Sequence, residues 1–303
     1  MVDMSSLFDL QFTIFCLMMA GYILTKLQLL NSDSRKHLSA LLINFVLPCN
    51  ILISFIIEFN QKILMDCISI LLVSTIIQFL CLFTSKYFYP KADERQLPVL
   101  RYGTISSNAG YLGNPIVQGL YGNTGLLFAS IYLIPMRIVM WSFGVTCFSG
   151  QKSKGVLKKV ITHPCIVAVF IGIIFMVCQI TLPTGIYQTI KYASNANTAL
   201  SMIVIGNILA EVKTSELIDF RALWFCIVRL LIIPIFVLLS CSIFHIDEMV
   251  KHVSVILAGM PAATTIAILA SKYDGDAHFT AKIIFLSTVI SMISIPFLCI
   301  LMN

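Results

Sequence analysis

The sequence predicts an all-α polytopic membrane protein: ten transmembrane helices in a 5+5 inverted repeat, with crossed, broken helices 4 and 9. Three observations predict it. The composition is too apolar for water, lysine and arginine collect in alternate short gaps, and two proline-interrupted spans occupy matching places in the two halves.

Composition excludes most alternatives. Of 303 residues, 58% are hydrophobic and 11% are charged. Soluble domains hold about 25% charged and about 45–50% apolar residues. A soluble globule of this length cannot hide so much apolar surface, so lipid must cover part of it. The formal charge of +6 would suit a nucleic-acid binder, but the basic residues sit between apolar runs, where they report topology. The ten cysteines lie almost entirely inside those runs without a Cys-x-x-Cys pair. They read as small hydrophobic filler, and neither a metal nor a cofactor is expected. The first apolar run carries Asp3 and Asp9 where a secretory leader has a basic stretch, so it reads as a span that stays in place.

A span needs about 20 mostly apolar residues to cross about 30 Å of hydrocarbon. That ruler places spans near 7–29, 39–58, 63–86, 99–120, 124–148, 163–182, 194–211, 220–244, 250–271 and 277–302. Every connection is short, which leaves no room for a soluble catalytic domain. Residues 1–148 form the first five-helix repeat, 149–163 a short cytoplasmic linker and 164–303 the second, inverted repeat.

Basic residues orient the spans. One set of loops holds Lys26, Arg35 and Lys36, then Lys86, Lys91, Arg95 and Arg101. It continues with Lys152, Lys154, Lys158 and Lys159, then Lys213 and Arg221, then Lys272. The alternate loops hold only Lys62, Lys191 and Lys251. The basic set is therefore cytoplasmic and both termini are outside, in a plasma (inner) membrane.

The halves also resemble each other. Asn50-Ile51-Leu52 in the second span matches Asn207-Ile208-Leu209 in the seventh, and Gly113-Asn114-Pro115 in the fourth matches Gly259-Met260-Pro261 in the ninth. Both offsets are near half the chain. With five spans per half, the second half inserts with opposite orientation, an architecture of many secondary transporters.

The fourth span concentrates helix-weakening residues at Gly110, Gly113 and Pro115, flanked by Asn108 and Asn114. Freed backbone groups and costly amides must then face protein or a water-filled cavity. One reading is a discontinuous helix whose half-helix N-terminus attracts an anion. The other is a proline kink with glycines for close packing. The second break, with Gly259, Pro261, Thr264 and Thr265, favours the first reading, because paired interruptions point to a transporter's binding site.

Charges within spans need a partner or a task. Arg137, halfway along the fifth span, suits either a substrate carboxylate or the backbone carbonyls of the broken helices. Arg229 in the eighth span reads chiefly as a snorkelling arginine, and with Asn50 and Asn207 it is a secondary binding candidate. Asp9, Glu58 and Asp66 fall near span ends, so no proton carrier stands out. The five histidines, at 37, 163, 245, 252 and 278, lack metal-ligand spacing, and no zinc-protease or serine-hydrolase motif is visible, so no enzyme is expected.

The run Asn108-Ala109-Gly110-Tyr111-Leu112-Gly113-Asn114-Pro115 resembles the Asn-x-Gly-Phe-x-Gly-x-Pro signature of the auxin efflux carrier family of membrane transport proteins. The stretch from Gly259-Met260-Pro261 to Tyr273-Asp274-Gly275-Asp276 and the Arg229-Leu230…Pro234 pattern are similar to further segments of that family. The resemblance runs through nearly the whole chain. It implies a scaffold part and a transport part, with the fourth and ninth spans crossing at their prolines to bind organic anions. The short central loop, unlike the long one of many plant members, points to a bacterial-type permease for malate, malonate or related acids.

The expectation is thus a permease for a small organic anion, a mono- or dicarboxylate, working by alternating access. A ligand-binding membrane sensor or channel of the same fold is the alternative. Coupling to a proton or sodium, and assembly as a homodimer, stay open.

Overall fold

The computed structural model describes residues 4–90, 92–149, 155–210, 219–273 and 275–302. Asp3, Lys91, Lys152, Lys154, Lys213 and Asp274, used above for topology and motif, lie outside them. The described residues are helical almost throughout. Among them, six segments are long and apolar enough to cross a bilayer: Leu7–Lys26, Asp33–Ser54, Gln61–Thr84, Ala109–Phe148, Phe220–Ile243 and Ala277–Met302.

The first half begins with α1 (Met4–Lys26), α2 (Ser32–Leu41), α3 (Leu47–Ser54) and α4 (Gln61–Thr84). Asn31 and Asn60 start α2 and α4 by accepting backbone N–H groups of the first turn. Then come α5 (Leu97–Ile105), α6 (Asn114–Val139) and the short α7 (Val145–Ser149). A short helix, α8 (Val156–Ile161), lies in the segment expected as a linker. The second half contains α9 (Pro164–Val177), α10 (Thr184–Ala210), α11 (Phe220–Ile227), α12 (Ile233–Ile243), α13 (Glu248–Ala258), α14 (Thr265–Lys272) and α15 (Ala277–Met302).

Wide π-turns at Leu42–Val46, Ala109–Gly113 and Val228–Ile232 each run directly into a helix with proline at its second residue: Pro48, Pro115 and Pro234. Proline removes an N–H and crowds the preceding turn, and the wider turn absorbs both effects. Pro115 is therefore an internal adjustment of a continuing helix. The break expected at Pro115 lies instead at Ser106–Asn108.

The segment 109–148 doubles back at Gly122, whose φ of +62° and ψ of −149° leave the helical region. A Cβ on Gly125 would lie 2.9 Å from the Val117 carbonyl oxygen, whereas a straight helix separates residues eight apart by about 12 Å. Ser107 and Met136 likewise touch across the hairpin.

Two groups of helices result. α1, α3, α9 and α10 pack on one another, while α4–α7 and α11–α15 form the other group. In the first, α1 and α10 approach until backbones nearly meet: a Cβ on Gly206 would stand 2.0 Å from the Met18 carbonyl oxygen, and one on Gly21 2.3 Å from that of Ile203. Outward faces are apolar at helical spacing, as at Met65, Ile68, Leu72, Ile76, Phe79 and Phe83 of α4, all exposed. Such a stripe suits lipid rather than water.

Alanine normally gains about 1 kcal/mol over glycine inside a helix. Gly206→Ala should instead lower the melting temperature, with a cost on the order of 1–3 kcal/mol from overpacking against backbone. Gly185→Ala, which meets open space on the same helix, should leave it unchanged or slightly raised.

Candidate functional site

The chain leaves helical geometry at two places, and these places meet. After α5, Ser106 is extended (φ −115°, ψ 117°) and Asn108 sits at φ −79°, ψ 35°. Ser106, Ser107 and Asn108 carry short polar side chains that compete with helical hydrogen bonding, so the break falls there. After α13, Gly259 to Thr264 form the second break, with Pro261 unable to donate.

The Asn108 N–H donates to the Pro261 carbonyl at 2.8 Å, and the Ala263 N–H donates to the Ser106 carbonyl at 3.3 Å. This short antiparallel pairing centres on Ser107 and Ala262. The Ala262 N–H donates to Ser287 Oγ of α15 at 3.1 Å. Away from water an unpaired peptide group costs several kcal/mol, so each break satisfies the other. The pairing equates residue 107 with 262, an offset of 155. The Asn50–Asn207 offset of 157 nearly agrees, whereas the Pro115–Pro261 offset of 146 does not. The crossing therefore lies at Ser106–Asn108 and Pro261–Ala263, so it includes Pro261 as expected but not Pro115.

Four half-helix ends converge on this crossing and sort by polarity. α5 and α13 arrive with their C-terminal, carbonyl-bearing ends. Arg229 meets both: Nε donates to the Met260 carbonyl at 3.1 Å and Nη1 donates to the Thr104 carbonyl at 3.0 Å. Its guanidinium is buried, so the snorkelling expected from sequence gives way to a clamp on two negative helix ends. The sequence had offered such carbonyl contacts as one role for Arg137; they belong to Arg229.

The N-terminal ends face a cavity of about 870 Å³. The crossing contributes Ser107, Asn108 and Gly110, and the start of α14 contributes Thr264 and Thr265. Leu133, Met136 and Arg137 of α6, and Met140 just after it, face the same space. Ser107 Oγ donates to Met136 Sδ at 3.5 Å and Thr265 Oγ1 lies 4.0 Å from Met140 Sδ, so Arg137 stands beside the crossing. The opposite wall comes from the other helix group: α2 to α3 with Arg35, Lys36 and Leu47, and the start of α9 with His163.

The wall holds unused donors. Among the described residues, Arg137 is 7% exposed with no acceptor for Nη1, and Asn108 is 5% exposed with none for Nδ2. His163 Nδ1 accepts the Cys165 N–H at 3.3 Å, which leaves Nε2 to carry the proton of the neutral ring. Among the described residues lining the cavity there is no aspartate or glutamate. Lys36 at the mouth pairs with Asp33 at 3.0 Å, with both side chains exposed, a contact of little energetic weight.

Of the sequence-predicted residues, Asn108, Gly110, Arg137, Thr264 and Thr265 are thus brought together. Gly113, Asn114, Pro115, Gly259 and Pro261 are buried off the wall. Gly113 admits Leu257 closely and Gly259 admits Leu298, each within 2.7 Å of where a Cβ would stand, and Pro261 supplies only its carbonyl. Neither Asn50 nor Asn207 lines the wall: Asn50 bonds Gln118 and Ser194, and Asn207 bonds Thr25 and the wall residue Arg35 from behind. His163 was missed. His-Pro is readable as a helix start, but which cavity that start faces is not.

Comparisons with known proteins agree along the whole chain. The family model described as membrane transport protein matches residues 7–156 and 151–299. An uncharacterized transporter of Methanothermobacter thermautotrophicus is 28% identical over 300 residues, covering 94% of each chain. An uncharacterized transporter of Methanocaldococcus jannaschii is 22% identical over 300 residues, covering 95% of this chain and 96% of its own.

Replacing Arg229 by Gln removes two charge-assisted hydrogen bonds, each worth about 1.5–3 kcal/mol. The purified protein should melt at clearly lower temperature, and Arg229→Lys, which keeps the charge without the two-pronged geometry, should fall between. Differential scanning fluorimetry of the three proteins reads the order.

Proposed function

We propose that this chain, which belongs to the membrane transport protein family, is a secondary carrier that moves a small organic anion by alternating access. The observation that carries the reading is the cavity at the crossing. It combines two positive half-helix ends, unused donors on Asn108 and Arg137 and, among the described residues, an absence of carboxylates on its wall.

An anion would spend those donors. A carboxylate accepts bidentate bonds from a guanidinium and single bonds from an amide and from backbone N–H groups at a helix start. A cation would find no carboxylate among the described residues of that wall. Methionines 136 and 140 line the same wall and adapt to the apolar part of a cargo.

Ten spans in two inverted five-helix repeats remain the architecture we favour. It is supported by the paired breaks with a common offset near 155 and by the hairpin at Gly122, which divides the longest apolar segment in two. The cavity opens toward Arg35 and Lys36, on the lysine- and arginine-rich side. We therefore place the mouth on the cytoplasmic face of the plasma membrane, with both termini outside.

A thermal-shift series of the purified protein against mono- and dicarboxylates tests the reading, because a ligand bound only by the folded state raises its melting temperature. At least one carboxylate should raise it in a saturable way. Arg137→Gln should weaken that ligand by about 10–100-fold, the value of a hydrogen bond to a charged group. Asn108→Ala should weaken it less. In vesicles the same ligand should show saturable counterflow; unitary currents would instead mark a channel.

A further inference from the structure

The two helix groups touch again beneath the cavity, and the contact there is polar. The lining face of α2 and α3 runs through Lys36, Ala40, Ile43 and Leu47, and one turn further stands Asn50, fully buried. On the other group, Gly110 lines the cavity, Asn114 follows four residues later and Gln118 four after that. Asn50 Nδ2 donates to Gln118 Oε1 at 3.0 Å, which joins α3 to α6 at the cavity floor. Asn50 is held from behind by Ser194 Oγ at 2.9 Å and by Asn197 Nδ2 at 3.4 Å, both on α10.

Asn114 is the second observation. It is 0% exposed, and neither its Nδ2 nor its Oδ1 has a hydrogen-bond partner among the described residues. A buried amide with both ends unpaired costs a few kcal/mol, which a fold retains where another state or a ligand satisfies the group. It stands between the wall residue Gly110 and the joint at Gln118.

We infer that the Asn50–Gln118 hydrogen bond is the latch that closes the cavity on the side opposite its mouth, and that Asn114 joins the binding wall when this latch opens. The inference rests on the carrier reading and adds the residues that close one of its two gates. The crossing supplies the counterpart by its own register. Adding 155 to Gln118 gives Tyr273, and Asn50 maps within two residues of Asn207. Asn207 bonds Thr25 and Arg35, beside the open mouth. Closure of the mouth would then bring Asn207 and Tyr273 together as the latch parts.

The test places a cysteine at Asn114 (Asn114→Cys) and reads its modification by a membrane-impermeant maleimide, quantified on that peptide by mass spectrometry. Sealed vesicles of both orientations allow labelling from either face. Adding Gln118→Ala should raise labelling from the face opposite the mouth by about fivefold, the equivalent of one net hydrogen bond. Gln118→Ala removes the side-chain amide whose oxygen accepts from Asn50 and leaves the Asn50 contacts with Ser194 and Asn197 on α10 in place. Unchanged labelling from that face would overturn the latch. As a second arm, Asn50→Cys with Gln118→Cys should form a disulfide on oxidation that suppresses Asn114→Cys labelling from that face in the triple variant, and reduction should restore it. Persistent labelling with the disulfide formed would overturn the latch equally. Counterflow of the thermal-shift ligand by the wild-type chain separates the two ideas. Counterflow with unresponsive labelling sinks the latch alone, and a ligand that binds without counterflow sinks the carrier.

Discussion

A helix interrupted inside hydrocarbon must spend its freed peptide groups on protein, and the rest of this molecule depends on how that demand is met. The break at Ser106–Asn108 and the break at Pro261–Ala263 satisfy one another through two backbone hydrogen bonds, with Ser287 taking one N–H between them. Neither break would survive alone at that depth. Their pairing fixes the register of the two halves and brings four half-helix ends to one point.

Those ends are then divided by charge. Two buried arginines show the division. Arg229 spends its donors on the carbonyl ends of α5 and α13, so its charge is used up by the fold. Arg137 stands beside the same crossing with a donor unspent, on a wall that has no carboxylate among the described residues. A buried cation without a partner is expensive, and a fold that keeps one retains it for a ligand more readily than for stability. The positive character of the cavity therefore comes from side chain and backbone together.

The sequence made some of this legible and hid the rest for identifiable reasons. Apolar runs gave most helices, because hydrocarbon thickness imposes a length that composition reveals. Asn108, Thr264 and Thr265 were readable as residues facing a cavity because polar groups beside helix breakers have few other uses in lipid. The register was misread: prolines stand out, but Pro115 follows a π-turn just as Pro48 and Pro234 do, while the true break at Ser106–Asn108 carries no proline at all. Arg229 looked like a snorkelling side chain because its carbonyl partners lie 31 and 125 residues away, beyond any local pattern. The segment 109–148 needed Gly122 at positive φ to become a hairpin, and a glycine in an apolar run does not announce that by itself.

The central claim is that the crossing holds negative charge. It is tested most directly by titrating the purified protein calorimetrically with a carboxylate that raises its melting temperature, and then with the carboxamide of the same carbon skeleton. The two differ in charge and hardly in shape. The account predicts that the carboxylate binds and that the carboxamide binds at least about tenfold more weakly, with the difference vanishing in Arg137→Gln. Equal affinity of the wild-type protein for the two would contradict it.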